Sequence, residues 1–222
     1  TVLYSTVDFF AAKPTARAVN MLAITALTAS GVTGQQHDWL VHPKQYGPST
    51  FMKWADGHGY TLGNGLVERS FFAHAGAWCT VDLRQVPSQR SYFRALIPEA
   101  NVTLSTQKAG SHRFDVGKCN GQLDGHMEMF DADALLPNLT ANASAFQMRN
   151  FSTAPPSALF DWKPGRFGAP TDIAWPPAGL HLSVDFVPPA SAHPALQPVV
   201  ITLHYEVYDG LPTLRKWVSV AV

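Results

Sequence analysis

The sequence predicts an all-β protein built as an antiparallel β-sandwich, and three observations carry that expectation. From about Thr50 onward, apolar and polar side chains alternate over much of the chain. A strand sends successive side chains to opposite faces, so this period marks one buried face and one that is wet or covered. Sixteen glycines and 17 prolines among 222 residues punctuate the alternating runs, as short strands joined by tight turns require. A hydrophobic fraction of 46% is enough to fill a core between two sheets.

Taken in chain order, residues 1–36 read as an N-terminal extension and 37–222 as the sandwich domain. In the extension, Lys13 and Arg17 precede an apolar stretch of small residues, Met21 to Gly34. This has the form of a secretory signal peptide cleaved near Gly34. The alternative is a short N-terminal helix packed on the domain. The stretch is too short and too rich in Thr to span a bilayer, so no membrane insertion is expected.

The first strand signal follows Gly63-Asn64-Gly65, which supplies the positive φ of a tight turn. There Leu66, Glu68, Ser70 and Phe72 alternate with Val67, Arg69, Phe71 and Ala73. Trp78 to Leu83 reads as the next strand, and Asn101–Thr106 with His112–Val116 as a further pair. The stretch from Asp124 to Gly179 reads differently. It holds a helix-compatible segment at Asp131–Leu136 and a loop-rich run from Ala154 to Pro177, of the kind that often carries function.

The clearest alternation comes last. Leu180, Leu182, Val184 and Phe186 face one way, with His181, Ser183 and Asp185 facing the other. Val199, Ile201, Leu203, Tyr205 and Val207 form a second apolar row. Asp209-Gly210-Leu211-Pro212 turns the chain into Leu214, Lys216, Val218, Val220 and Val222, with Trp217 on the opposite face. The pattern is still alternating at Val222, which reads as a sandwich incomplete at the C-terminus, a piece of a longer product.

Cys79 and Cys119 pair and close a loop of about 40 residues, or are two buried free thiols. They form no Cys-x-x-Cys motif, so redox catalysis and structural zinc are not indicated. Four of the seven asparagines begin N-glycosylation sequons, at Asn101, Asn138, Asn142 and Asn150. This exceeds the chance expectation and points to a secreted, extracellular glycoprotein. Sixteen basic residues balance 16 acidic ones, which argues against the basic surface that nucleic acid or an anionic membrane demands.

Catalytic motifs are incomplete. There is no Gly-x-Ser-x-Gly elbow, no His-Glu-x-x-His and no phosphate loop. His126 and Glu128 lack the helical spacing of a zinc site. Asp124, Glu128, Asp131 and Asp133 lack the glycine and distal Glu of an EF-hand. No catalytic residue, metal ligand or cofactor is therefore assigned. Of the six tryptophans, Trp39, Trp54, Trp78, Trp162, Trp175 and Trp217, two stand in the loop-rich run. Trp162 and Trp175 are the candidates for substrate contact, because an indole face stacks on a sugar ring.

Three segments together carry a resemblance: Asp38-Trp-Leu-Val-His-Pro43, Tyr60-Thr-Leu-Gly-Asn-Gly-Leu-Val-Glu-Arg-Ser-Phe71, and His204-Tyr-Glu-Val-Tyr-Asp-Gly-Leu-Pro-Thr-Leu-Arg-Lys-Trp-Val218. Over about Asp38 to Val222 the chain resembles the N-terminal β-supersandwich (galactose mutarotase-like) domain of α-galactosidase-like glycoside hydrolases. The resemblance implies a non-catalytic, carbohydrate-associated sandwich supporting a separate catalytic barrel that bears the catalytic aspartates. Within the motifs, Arg69 is placed to anchor a carboxylate across the sheet, and Glu206 and Lys216 to form a cross-strand ion pair. Two rival classes are an epimerase- or lyase-type sandwich enzyme, using His181 and His204 on the face opposite the apolar row, and a secreted glycan-binding or adhesion protein without catalysis.

Overall fold

A computed structural model describes residues 46–93, 95–108, 110–121, 136–162 and 174–222. The N-terminal extension, the helix-compatible residues 131–135 and the first resemblance segment lie outside them.

The described residues form antiparallel sheets. The first sheet has five strands in sequential order: β1 (Thr50–Lys53), β2 (Gly59–Gly63), β3 (Val67–Phe72), β4 (Cys79–Gln85) and β5 (Arg90–Ser91). A hairpin of β6 (Ala100–Thr106) and β7 (Gly110–Val116) follows, then a short pair, β8 (Cys119–Asn120) and β9 (Thr140–Ala141). The last sheet has four strands, β10 (Gln147–Ala154), β11 (Gly179–Val187), β12 (Val200–Tyr208) and β13 (Leu211–Ala221), again neighbours in chain order.

The alternating rows become one shared core. Leu182, Val184 and Phe186 of β11 sit opposite Tyr205, Leu203 and Ile201 of β12, all fully buried. They pack with Leu62 and Phe71 from the first sheet and with Val102 and Leu104 from the β6–β7 hairpin. Each such side chain contributes about 1.5–3 kcal/mol by leaving water. This is the two-layer solution expected when sheets each have one apolar face.

Strand β10 was not legible as a strand. It falls inside the stretch read as irregular, because only Met148 and Phe151 face the core while Arg149, Asn150, Ser152 and Thr153 are exposed. A register shift between Met148 and Asn150 breaks its alternation further. Phe151 holds the strand in place, its ring edge-on to Tyr60 at 5.0 Å and to Phe51 at 5.4 Å.

The two long motifs meet in space. The buried Asn64 side chain donates from Nδ2 to the carbonyls of Tyr208 and Leu211, each at 2.6 Å. Its Oδ1 accepts from the backbone N–H of Leu66 (3.0 Å) and Val67 (3.1 Å). One side chain thus ties the β2–β3 turn to the β12–β13 turn. Gly65 (φ 79°) and Gly210 (φ 70°) take the left-handed conformations these turns need. Ser49 completes the contact, its N–H (2.7 Å) and hydroxyl (2.6 Å) both donating to Asp209 Oδ1.

Between the sheets lies a buried carboxylate. Arg69 Nη2 and Lys216 Nζ each approach Glu99 Oε2 at 2.6 Å, and the Tyr205 hydroxyl donates to the same oxygen at 2.9 Å. Oε1 accepts from the Thr80 N–H at 2.8 Å and from the Thr80 hydroxyl. Arg69 therefore does anchor a carboxylate, as its motif suggests. Lys216 does not pair with Glu206. Register sets Lys216 opposite Tyr205 and Arg215 opposite Glu206, so Lys216 points into the core while Glu206 points away from it. A one-residue difference in strand parity decides the partner.

Cys79 and Cys119 are bonded, with Cα atoms 5.8 Å apart, and join β4 to β8. The 40-residue separation corresponds to about 3–4 kcal/mol in the chain-entropy view. Phe72, Ala77, Val81 and Leu139 pack around the bridge as a second, smaller core.

Burial raises the Glu99 pKa, but Arg69 and Lys216 overcome this and hold the carboxyl well below the usual carboxylate range. Its contribution to stability is complete above the unfolded value of about 4.3 and is lost as pH falls below it. Glu99→Gln leaves two cations without their charge partner and is expected to cost about 3–5 kcal/mol in urea unfolding at neutral pH. It should also flatten the acid-side decline of stability. Parallel pH profiles for the variant and the parent between about pH 5 and pH 2 would contradict this account.

Candidate functional site

The outer face of the four-stranded sheet collects the polar members of each alternating row. His181, Ser183 and Asp185 of β11 lie beside Glu206, His204 and Thr202 of β12, which in turn lie beside Arg215, Trp217 and Ser219 of β13. Strict alternation forces this grouping: filling the core with Leu182, Leu203 and Val218 leaves these side chains on the other side.

The aromatic members are stacked. His204 and Trp217 are nearly parallel, 10° apart with centroids at 4.8 Å, and His181 lies 5.2 Å from both rings. His181 Nε2 is 3.0 Å from His204 Nδ1, and His204 Nε2 is 2.8 Å from the Ser219 hydroxyl. The Arg215 guanidinium lies over the Trp217 ring at 4.7 Å, within cation–π range.

Glu206 sits at the centre of this group. Register places His181 and Arg215 on its two flanks, and His204 and Tyr208 two residues either way along β12. Its Oε2 accepts from the Tyr208 hydroxyl at 2.6 Å and lies 3.7 Å from Arg215 Nη1. Its Oε1 is buried and has no hydrogen-bond partner among the described residues. The residue is only 1% exposed, which singles it out among the polar groups of this face.

The β10–β11 connection supplies a second group. Trp175 contacts Phe160 at 5.1 Å and Trp162 at 5.5 Å between ring centroids. Trp175 Nε1 donates to the Phe160 carbonyl at 3.1 Å, which braces the indole. Phe160 and Trp175 are exposed and Trp162 half-buried, so the cluster offers aromatic surface to solvent. The structure thus brings together the two tryptophans singled out from the sequence. Phe160 was not singled out, and only its position in the same loop hinted at it.

The sequon asparagines occupy varied settings. Asn138 and Asn150 are exposed. Asn101 is half-buried, and its Oδ1 accepts from Arg113 Nη2 at 3.0 Å. Asn142 is half-buried, donating to Asn120 Oδ1 at 2.9 Å and accepting from the Ser144 hydroxyl at 2.7 Å. His126, Glu128 and the acidic cluster of Asp124, Asp131 and Asp133 lie outside the described residues. Among those described, no group of three or more His, Cys, Asp or Glu side chains is placed to hold a metal ion. No described helix is long and apolar enough to cross a membrane.

No protein-family model matches the chain, and neither a curated protein nor a solved structure matches it.

Chemically, the outer face offers a neutral pair of imidazoles beside a carboxylate. Burial lowers the pKa of both histidines; the charge of Glu206 works the other way on each, joined at His204 by Asp185, while His181 lowers His204 further. A base whose folded pKa is depressed favours the folded state above its unfolded value of about 6.5 and loses that advantage as pH falls through the folded value. NMR titration of the two rings should therefore give midpoints below about 6.5. Trp217 fluorescence should change over the same interval, and midpoints at or above the free-histidine value would rule out this stacked arrangement.

Proposed function

We propose that this chain is a carbohydrate-associated domain of a secreted α-galactosidase-like glycoside hydrolase. It has no complete catalytic site of its own and supports a separate catalytic barrel. In this reading the sandwich is a galactose mutarotase-like supersandwich. The observation that carries the proposal is the braced aromatic cluster of Trp162, Trp175 and Phe160, open to solvent in a long connection. Such surfaces bind sugar rings by stacking and add little entropy cost, because the rings are already fixed.

Two further features support it. The motif residues Asn64, Arg69, Tyr205 and Lys216 are absorbed in holding turns and sheets together, as a supporting domain requires. The Cys79–Cys119 disulfide, with the four sequons, suits an oxidising secretory route.

A second reading is favoured by one specific observation, the His181–His204 contact beside Glu206. Two imidazoles and a carboxylate on one sheet face are the groups an epimerase- or lyase-type sandwich enzyme needs for proton transfer.

Trp175→Ala is expected to weaken binding to α-galactosyl oligosaccharides about tenfold or more by calorimetry, with the melting temperature unchanged. Unaltered binding would remove the cluster from the proposal. The enzymatic reading predicts turnover of a free aldose by the expressed domain, abolished by His204→Ala. Absence of turnover in the parent protein rejects that reading and leaves the first one standing.

A further inference from the structure

We infer that the saccharide-binding surface continues from the aromatic cluster onto the outer face of the four-stranded sheet, where Glu206 Oε1 accepts a ligand hydroxyl. The ligand is then a neutral oligosaccharide rather than a single sugar. This rests on the reading of Trp162 and Trp175 as a sugar platform.

The first support is the unpartnered oxygen. Tyr208 satisfies one oxygen of Glu206, and the other is buried with no donor to it among the described residues. Buried carboxylate oxygens in folded proteins are almost always hydrogen-bonded, so an orphan needs a partner supplied from elsewhere. A sugar hydroxyl is a donor of the right kind.

The second support is the surroundings of that oxygen. Arg215 is 40% exposed and rests on Trp217, with its Nη1 3.7 Å from Glu206 Oε2, beyond hydrogen-bond length. It flanks the carboxylate without a hydrogen bond to it, so its guanidinium keeps N–H donors for the same ligand. His181 flanks the other side. The face is balanced in charge: Glu206 and Asp185 stand with Arg215 and Arg149, the latter 3.6 Å from Asp185. A carboxylate at its centre disfavours phosphate and acidic sugars, which leaves neutral polyols.

The third support is continuity. Trp175 stands four residues before Gly179, and Gly179 pairs with Tyr208, the residue that holds Glu206. Four residues span at most about 14 Å of extended chain. The other end of the connection leaves β10 at Ala154, opposite His181. The aromatic loop therefore springs from the end of the sheet at which Glu206 lies. A short chain of linked rings stacked on Trp175 has Glu206 within its reach.

The test is calorimetry of the full chain with neutral α-galactosyl oligosaccharides of increasing length, from galactose to a tetrasaccharide. Affinity should rise with length and level off once both places are filled. Glu206→Gln should weaken the tetrasaccharide about tenfold or more while leaving the shortest ligands unchanged. Trp175→Ala should weaken every length. Tetrasaccharide affinity that survives Glu206→Gln but is lost in Trp175→Ala overturns the extension and leaves the platform reading intact. No affinity of the parent protein for any length overturns both. If Glu206→Gln does not fold, NMR of the parent protein decides: the tetrasaccharide should shift the Arg215 and Trp217 side-chain N–H signals and galactose should not, and unmoved signals overturn the inference.

Discussion

The carboxylate of Glu99 is the constraint on which the arrangement of the two main sheets depends. It enters a nearly dry interior only because Arg69 from one sheet and Lys216 from the other are both there to meet it. Neither cation is tolerable at that depth without the acid, and the acid is not tolerable without them. Tyr205 and Thr80 fill the remaining lone pairs, so the group is satisfied and directional. Apolar packing alone would let the sheets slide by small amounts. A shared carboxylate fixes one relative position, because displacement strands a charge.

Asn64 performs a related task at the edge of the same interface. Its four hydrogen bonds join two turns that are about 145 residues apart in sequence. The Tyr60–Phe71 and His204–Val218 segments are thus segments that hold each other. That gives both segments a structural reason, and it separates Asn64 from the outer face, where Glu206 Oε1 has no hydrogen-bond partner among the described residues.

Much of this was readable from the residues. The long alternating rows of β11, β12 and β13 placed the core, and by parity they also placed His181, His204 and Trp217 together on the outside. The sequence could not assign the ion pairs. Glu206 and Lys216 look like partners along the chain, yet their parities differ, and only register shows that Arg215 takes the place opposite Glu206. Glu99 itself gave no signal, standing alone between a proline and an alanine with its partners on distant strands. Strand β10 stayed hidden because a sheet edge needs few apolar residues, and its two core contacts do not make a pattern. Trp162 and Trp175 were legible as a pair by their setting in the loop. Their contact depends on the fold returning the chain to β11.

The disulfide encloses more than a loop. Between Cys79 and Cys119 lie Thr80, Glu99 and the whole β6–β7 hairpin, whose tip carries the exposed Lys108. A protease that nicks the chain at that tip severs the backbone but frees neither fragment, since the sulfur bridge still joins them. Glu99 stays fastened on one side of the cut and β7 on the other. The domain can thus be clipped at an exposed hairpin tip and yet migrate as one piece until a reductant reaches the bridge.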